Sequence, residues 1–220
     1  MTSSHTRSLA TLALVTGLGL GSSAALAVQQ GDILVRVGVA HVAPTGDSDI
    51  IPTNGLTGAG ARVEADSGTS LGLNFTYMAT DNIGVQLLAA WPFKHDIEGA
   101  GALAGIGKVG ETKHLPPTVT AQWHFAPQST IRPFVGVGVN YTNFFSEDTT
   151  GALAGQSLKL DDSWGLAGEL GVDIDIGNNW FVSGQVWYMD IDTEATVAGA
   201  VSFDVHIDPW VYMIGIGTKY

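Results

Sequence analysis

The sequence of 220 residues contains no cysteine, so no disulfide can stabilise its fold. It also lacks an apolar run of the ~20 residues that a transmembrane helix needs. Basic residues are few: 9 Lys and Arg stand against 21 Asp and Glu, for a formal net charge of −12. Nothing in this distribution resembles the basic stripe of a nucleic-acid-binding protein. These absences exclude a disulfide scaffold and a helical membrane protein, and they argue against nucleic acid as a partner.

The amino terminus has the three-part pattern of a secretory signal. Arg7 supplies a positive charge, residues 9–21 form an apolar run, and Ala25-Leu26-Ala27 offers a small-residue cleavage site. The run is short and contains glycines, which disfavours a membrane anchor or a buried helix. We therefore predict that residues 1–27 are a signal peptide, removed near Ala27, and that residues 28–220 form one exported domain.

The rest of the sequence is dominated by alternation of apolar with polar or small residues. Hydrophobic residues make up 45% of the chain, and 29 glycines are present. Alternation with period two favours β-strands over helices. We predict eight strands, over residues 32–44, 69–80, 83–96, 114–125, 132–145, 163–176, 180–192 and 203–219.

Short and long connections alternate strictly between these strands. The short ones, at 81–82, 126–131 and 177–179, contain residues that favour tight turns. This order is typical of an outer-membrane barrel, which has tight periplasmic turns and long extracellular loops. The long connections cover residues 45–68, 97–113, 146–162 and 193–202, and we expect short helical pieces in the second and third of them.

The two faces of each strand distinguish a membrane barrel from a soluble, lipocalin-like one. In the sixth strand Trp164, Leu166 and Leu170 share one face, whereas Glu169 and Asp173 share the other. Bulky residues from eight strands would have to fit inside a soluble barrel, but they can face lipid in a membrane barrel. We therefore predict an all-β fold, an eight-stranded antiparallel up-and-down transmembrane β-barrel. Aromatic residues near strand ends suit the membrane interfaces: Trp123, Phe125, Trp180, Tyr188, Trp210 and Tyr220.

The last strand, DPWVYMIGIGTKY at residues 208–220, closes this predicted barrel and ends on an aromatic residue. Such a terminal strand is the kind of signal that the outer-membrane barrel assembly machinery reads. We therefore expect that machinery, outer-membrane lipid and lipopolysaccharide as partners.

Several segments together resemble the outer-membrane protein W (OmpW) family, which includes the AlkL-type alkane importers. They are LGLNFTYMATDNIGVQLLAAWPF, KHLPPTVTAQWHF, RPFVGVGVNYTNFF, DSWGLAGELGVD, WFVSGQVWYMDIDT and DPWVYMIGIGTKY. The resemblance implies an eight-stranded barrel in the outer membrane of a Gram-negative cell and passive uptake of small hydrophobic molecules. It also implies that Leu88 and Trp187 lie where the channel narrows and that substrate leaves sideways. Members more often end in Phe than in Tyr.

Charged residues on the inward faces predict a plug in the periplasmic half of the lumen. An eight-stranded barrel is just wide enough to be filled by side chains, and buried charges must pair. We expect Arg36 to meet one or more of Glu169, Asp173 and Asp175, with Lys219 as a further member of the network.

Large apolar residues interrupt the polar inward pattern nearer the extracellular side. We expect them to form an apolar pocket above the plug, suited to a small hydrophobic ligand. The alternative is that they simply fill the upper lumen. The residues are Leu88, Trp187, Met78, Phe144 and Met189.

Prolines in the upper parts of strands indicate where the wall could open, because proline cannot donate a ladder hydrogen bond. Pro92 interrupts an alternating run, so we expect a lateral opening there. Pro44 and the pair Pro116-Pro117 are candidates too, although these three can equally mark strand ends.

Other chemistries find little support. No nucleophile–base pair is evident, so we expect no enzymatic activity, no catalytic residue, no cofactor and no metal centre. Acidic loop residues such as Asp47 and Asp161 could hold divalent cations that bridge lipopolysaccharide, or could form a solvated surface. The competing function is a structural or surface-receptor barrel whose loops bind phage, bacteriocin or host surfaces.

Overall fold

A computed structural model describes residues 27–52 and 60–220. The predicted signal peptide lies outside the described residues except for Ala27. Within the described ranges no helix is long and apolar enough to cross a membrane. These ranges contain a 3-10 turn at Gly151–Leu153 and fourteen strands: β1 Ile33–Ala43, β2 Ala61–Ala65, β3 Gly68–Met78, β4 Ile83–Ala90, β5 Phe93–Gly101, β6 Lys108–Leu115, β7 Thr118–His124, β8 Ile131–Thr149, β9 Leu158–Leu160, β10 Ser163–Gly177, β11 Trp180–Met189, β12 Asp192–Val197, β13 Val201–His206 and β14 Trp210–Lys219.

Eight of these strands close into an antiparallel barrel in the order β1-β3-β4-β7-β8-β10-β11-β14. The first and last strands pair from Leu34↔Lys219 to Ala43↔Trp210, which closes the barrel. Each remaining neighbour pair is a hairpin or follows a long connection, as in an up-and-down barrel. The predicted fold is confirmed.

The tight turns lie at the end that we assign to the periplasm. Asn178 and Asn179 connect β10 to β11 with φ of 54° and 67°. Asparagine tolerates this left-handed conformation, which two-residue hairpin turns of this type require at both positions. The sequence alternation and the turn chemistry therefore agree at this end.

Among the described residues, each long connection contains further β-structure. Residues 97–113 belong to the hairpin of β5 and β6. Residues 146–162 contain the end of β8, the three-residue 3-10 turn and β9. The expectation of helical pieces in 97–113 is therefore wrong. Gly101 and Gly107 adopt positive φ there, and glycine is a poor helix former. Strands β2, β5, β6, β9, β12 and β13 extend the wall outward beyond the barrel.

The outer face of the barrel is apolar and ends in aromatic residues on both sides. Val137, Leu166 and Ile214 are about 70% exposed, which fits contact with lipid rather than water. Strand β14 runs from Trp210 to Lys219, just before Tyr220, and ten intervals of ~3.4 Å at a tilt of ~40° span about 25 Å. That height is the usual thickness of an apolar belt.

Candidate functional site

The periplasmic half of the lumen holds a buried ion pair. Nε and Nη2 of Arg36 donate to the two carboxylate oxygens of Asp173, at 3.1 and 2.6 Å. Nη1 donates to Thr76 Oγ1 at 2.8 Å and to Asn74 Oδ1 at 3.3 Å. Ser183 donates to the same carboxylate at 2.7 Å. Paired and hydrogen-bonded in this way, both charges are accommodated although they are fully buried.

Two phenylalanine rings flank this ion pair. The guanidinium carbon of Arg36 lies 5.2 Å from the Phe134 ring centre and 5.4 Å from the Phe181 ring centre. Each ring fills space left by an inward-facing glycine, because a Cβ at Gly171 would overlap Phe134 and one at Gly217 would overlap Phe181. Cation–π contacts add to the ion pair, and the glycines make them possible.

Glu169 is buried in the lumen without an ion-pair partner among the described residues. Its carboxylate accepts hydrogen bonds from Gln86 at 2.9 Å, from Thr120 at 2.8 Å and from Gln122 at 3.0 Å. Three neutral donors therefore take the place of a cation. Together with the Arg36 network, they leave a lumen filled by polar side chains.

The other charges of the predicted plug lie lower and pair elsewhere. Asp175 is 3.3 Å from Arg132, a cation that sequence reasoning did not select although its inward parity on β8 could have revealed it. Lys219 is 3.1 Å from Asp32 and also donates to the carbonyl of Ala27 at 2.6 Å. Lys219 therefore does not join the Arg36 network, because it projects at the periplasmic mouth.

An apolar layer lies above the polar plug. Leu88, Trp187 and Met189 are almost completely buried and belong to one packed cluster with Phe144 and Met213. Their close packing agrees with the alternative that these side chains fill the upper lumen.

Met78 does not belong to that layer, and its predicted position is wrong. It packs with Val28, Leu34 and Phe181 at the periplasmic end. The reason is chain direction: β3 descends towards the turn before Ile83, so its last residue lies near the periplasm. Met78 faces the lumen as predicted, but it lies at a lower level along the barrel axis than predicted.

A large apolar cavity of about 540 Å³ lies in the outer extension, above the packed layer. Of the predicted channel residues only Phe144 lines it. Most of the lining comes from β2, β6, β9, β12 and β13. The lining residues are Ile51, Pro52, Val63, Glu64, Ala65, Ile97, Leu103, Ile106, Val109, Gly110, Thr112, Phe144, Ala152, Leu153, Leu158, Leu160, Thr193, Ala195, Val197, Val201, Phe203, Val205 and Ile207.

The strand ladder next to this cavity is interrupted at Pro92. Pairing of β4 with β7 ends at Leu88↔Thr118, and pairing of β5 with β6 begins at Phe93↔His114. In the part of the chain that the structure describes, no ladder pair joins residues 89–92 to residues 115–117. Pro92, Pro116 and Pro117 lack an N–H, so three of these seven positions cannot donate. We call this interruption the ladder gap.

Pro44 lies just beyond the end of β1. Pairing of β1 with β3 ends at Val42↔Gly68, after which the nitrogen atoms of Thr45 and Gly46 donate to Ile207. The structure therefore places Pro44 at a strand end, which was the alternative to a wall opening.

Aromatic rings stand between the cavity and the ladder gap. His95 and His114 stack at 4.8 Å between ring centres, and Phe93 stacks on His114 at 5.6 Å. Along β5 and β6 the next inward residues, Ile97 and Thr112, line the cavity. The stack (Phe93, His95 and His114) therefore occupies the direct path from the cavity to the gap.

Burial sets the protonation state of the stacked histidines. Their outward neighbours on β5 and β6 are charged, so the stack lies beyond the apolar belt. Desolvation and the neighbouring His95 ring lower the pKa of His114 to about 3. Desolvation also lowers the pKa of His95, whose Nδ1 is 2.6 Å from the carbonyl oxygen of Asp66. Both rings are neutral at neutral pH.

Comparison with known proteins agrees with this architecture. The OmpW family model matches residues 29–220. Outer membrane protein W of Vibrio cholerae is 47% identical over 91% of this chain and 94% of its own length. The crystal structure of the outer membrane protein OprG from Pseudomonas aeruginosa is 43% identical with a TM-score of 0.81, over 88% of this chain and 98% of that chain. The dibenzothiophene metabolism operon protein PahQ of Pseudomonas aeruginosa is 28% identical over 84% of this chain and 87% of its own length. The chain belongs to the OmpW family and is a transmembrane β-barrel of the outer membrane.

Proposed function

We propose that this barrel is a passive channel for small hydrophobic molecules. They are captured in the outer cavity and leave sideways into the membrane through the ladder gap. The observation that carries the proposal is a cavity of about 540 Å³ with an almost wholly apolar lining, held outside the apolar belt. Hydrophobic molecules favour such a site over water by the free energy of removing apolar surface from solvent.

The size of the cavity indicates the size of the molecules. An apolar protein cavity of roughly 150 Å³ takes up one benzene. The cavity here is more than three times larger, which suits two or three fused rings or an alkyl chain of similar volume. The name of the relative PahQ refers to the metabolism of dibenzothiophene, a three-ring compound, and supports the same class of molecule.

A route straight down the lumen is opposed by the plug. Below the packed layer lie the Arg36–Asp173 ion pair and the buried Glu169, and an apolar molecule could pass them only by breaking hydrogen bonds in a medium that does not replace them. The ladder gap opens at the level of the exposed Trp91, where the wall meets lipid. Movement of the Phe93–His95–His114 stack would connect the cavity to it.

The test is uptake by intact Gram-negative cells that lack other OmpW-type channels. A small fluorescent naphthylamine reports entry, because it becomes bright in the membrane and lipopolysaccharide normally slows it. Ala195→Trp fills the cavity from β12, and Glu194→Trp places the same ring on the exposed face of the same strand. Uptake should fall to the rate of cells without the protein for the first variant and remain near wild type for the second.

Surface level and folding of each variant are checked by the heat-dependent gel mobility of intact barrels. If wild-type cells take up the probe no faster than cells without the protein, the channel proposal is wrong and a receptor role for the outer surface is favoured. If Ala195→Trp leaves uptake unchanged, hydrophobic molecules do not pass through the cavity.

A further inference from the structure

The negative charge of this chain is concentrated in the outer extension, which consists of residues 44–68, 93–115, 145–162 and 190–209. These ranges contain 16 of the 21 Asp and Glu residues but only 5 of the 9 Lys and Arg residues. Sixteen anions against five cations leave a formal charge of −11 there, out of −12 for the whole chain. The apolar cavity therefore lies within the most acidic part of the molecule.

Many of these acidic residues lie directly opposite each other on neighbouring strands. Like charges in this position destabilise an antiparallel pair unless other groups compensate them. At one pair Lys108 does so, with Nζ 2.8 Å from an oxygen of each carboxylate. The pairs are Glu64↔Glu98 on β2 and β5, Asp96↔Glu111 on β5 and β6, Glu111↔Asp148 on β6 and β8, and Glu194↔Asp204 on β12 and β13.

Two of these pairs, Glu64–Glu98 and Glu194–Asp204, have no compensating cation. All four side chains are exposed, and none forms an ion pair with a residue in the ranges 27–52 and 60–220. The repulsion within each pair lowers the stability of the fold. Stability therefore does not account for these carboxylates, and we look for their role at the cavity that the same strands enclose.

The cavity wall has an apolar inner face and an acidic outer face. Successive residues of a strand point to opposite faces, and each carboxylate of the two uncompensated pairs adjoins a lining residue. β2 and β5 belong to one sheet and β12 and β13 to another, so both sheets present carboxylates around the cavity. Glu64 is itself the one charged residue among the described residues that line the cavity. The adjoining lining residues are Val63, Ile97, Ala195 and Val205.

We propose that this charge selects among hydrophobic molecules, so that neutral and cationic ones reach the cavity and anionic ones are excluded. The inference rests on the proposed function, because it concerns entry to the same cavity. A surface of one sign lowers the local concentration of ions of that sign and raises that of the opposite sign. The apolar part of an amphiphile enters the cavity while its charged group stays at the rim, where Glu64 can pair with a cation but not with an anion.

Distance and salt set the size of this selection. A cavity of about 540 Å³ has a radius of about 5 Å, and one sheet layer adds roughly 10 Å, so the outer carboxylates lie roughly 15 Å from its centre. At that distance the charge of the extension favours a neutral molecule over an anion of similar shape by about 20-fold at about 10 mM salt. At about 150 mM salt the factor falls to about twofold, because the Debye length is shorter.

The test is equilibrium dialysis of the purified full-length barrel in a non-ionic detergent, with EDTA present so that divalent cations do not neutralise the carboxylates. Three ligands share one ring system: 2-naphthalenemethanol is neutral, 2-naphthoate is anionic and 2-naphthylmethylammonium is cationic. Binding to the cavity is the difference between wild type and Ala195→Trp, which fills the cavity without changing any charge. This difference also removes uptake by the detergent.

Charge variants separate the effect of the carboxylates from that of the apolar lining. Glu64→Gln/Glu98→Gln/Glu194→Gln/Asp204→Asn removes both uncompensated pairs, and Asp81→Asn removes an exposed carboxylate at the periplasmic turn as a control. We expect wild type to prefer the neutral ligand over the anion by the factors above and to bind the cation at least as well as the neutral one. At low salt the quadruple variant should reduce the preference about threefold, and Asp81→Asn should leave it unchanged.

The outcomes distinguish this inference from the function on which it rests. Equal cavity binding of the neutral ligand and the anion at both salt concentrations overturns the charge selection and leaves hydrophobic capture standing. A preference that changes neither with salt nor in the quadruple variant also overturns it, because the apolar lining alone would then reject the anion. If the neutral ligand shows no difference between wild type and Ala195→Trp, capture in the cavity is wrong and the selection falls with it.

Discussion

At the scale of single residues, glycines determine whether the lumen can hold its charges. Arg36 can lie between Phe134 and Phe181 only because Gly171 and Gly217 leave space for the rings. Inward parity in the sequence identified Arg36 and Asp173 as lumen residues and made Asp173 one of three expected partners of Arg36, but it could not select among the three. They lie on β1 and β10, which are separated by β14 and β11, so their meeting depends on barrel stagger that no local pattern contains.

A test of this packing compares two glycines of β10. Gly171→Ala places a methyl group into the Phe134 ring, whereas Gly168→Ala adds one on the lipid face, with nothing within 4 Å. We expect the first to lower the free energy of unfolding by about 1–3 kcal/mol, because overpacking forces the ring off the Arg36 guanidinium. The second should change it by less than about 0.5 kcal/mol.

Urea unfolding in lipid vesicles, followed by tryptophan fluorescence, measures both variants under the same conditions. Equal midpoints for Gly171→Ala and wild type would show that Phe134 can move at little cost. That result would contradict the inference that Gly171 is needed to leave space for the Phe134 ring.

At the scale of elements, the barrel strands were predictable and the outer extension was not. Alternation identified all eight barrel strands, but the predicted third strand (83–96) ran past the end of β4 into β5, and the predicted eighth strand (203–219) joined part of β13 to β14. β2 and β9 have five and three residues, too few for alternation to distinguish them from loop. The cavity arises where such segments meet, so its lining could not be predicted from any one of them.

The apolar layer of the lumen was likewise only partly predictable from single segments. Alternation correctly predicted that Leu88, Trp187 and Met189 face the lumen. Whether such residues leave a pocket or fill the lumen depends on how they pack, which alternation does not show. Met78 shows the further need to count from the turns, since chain direction reverses at each strand. Sequence gives the face of a residue more readily than its height.

The histidine stack predicts a response of the outer extension to acid. The pKa of His114 is about 3 in the folded protein and near 6.5 when unfolded. Between these values the unfolded state binds a proton that the folded state does not, so stability falls as pH drops from about 6.5 towards 3. His95, with its lowered pKa, acts in the same direction, opposed by Asp66 and Asp96.

Hydrogen exchange of the β5–β6 hairpin between pH 7 and pH 4, corrected for intrinsic rates, measures this effect. Protection should decrease with acidity in wild type and much less in His114→Phe, which keeps an aromatic ring at the position but cannot be protonated. A pH dependence that persists unchanged in His114→Phe would show that other groups, such as the carboxylates, cause it.

At the scale of the whole molecule, three levels follow one another from the periplasm outward. A hydrogen-bonded polar plug comes first, then a packed apolar layer, then an apolar cavity. Polarity increases downward, so an apolar molecule in the cavity gains nothing by continuing along the barrel axis. The ladder gap lies beside the upper levels, so the proposed sideways release agrees with this arrangement.

Closure of the barrel depends on the last residues of the chain. The backbone of Tyr220 exchanges two hydrogen bonds with Ile33, of 3.0 and 2.9 Å, while its ring is 75% exposed. Removing the ring therefore costs the folded barrel little, since the backbone bonds remain. If the assembly machinery reads this terminal aromatic residue, the ring matters in the cell and not in the refolded protein.

Tyr220→Ala should therefore reduce the fraction of compact, heat-modifiable barrel in outer membranes several-fold, and Tyr220→Phe should at least preserve it. In vesicles, the urea midpoints of all three refolded proteins should agree closely. A loss of stability in vesicles that matches the loss in cells would mean that the ring acts by packing. In that case the terminal aromatic residue would be part of the barrel's own closure rather than a signal to a partner.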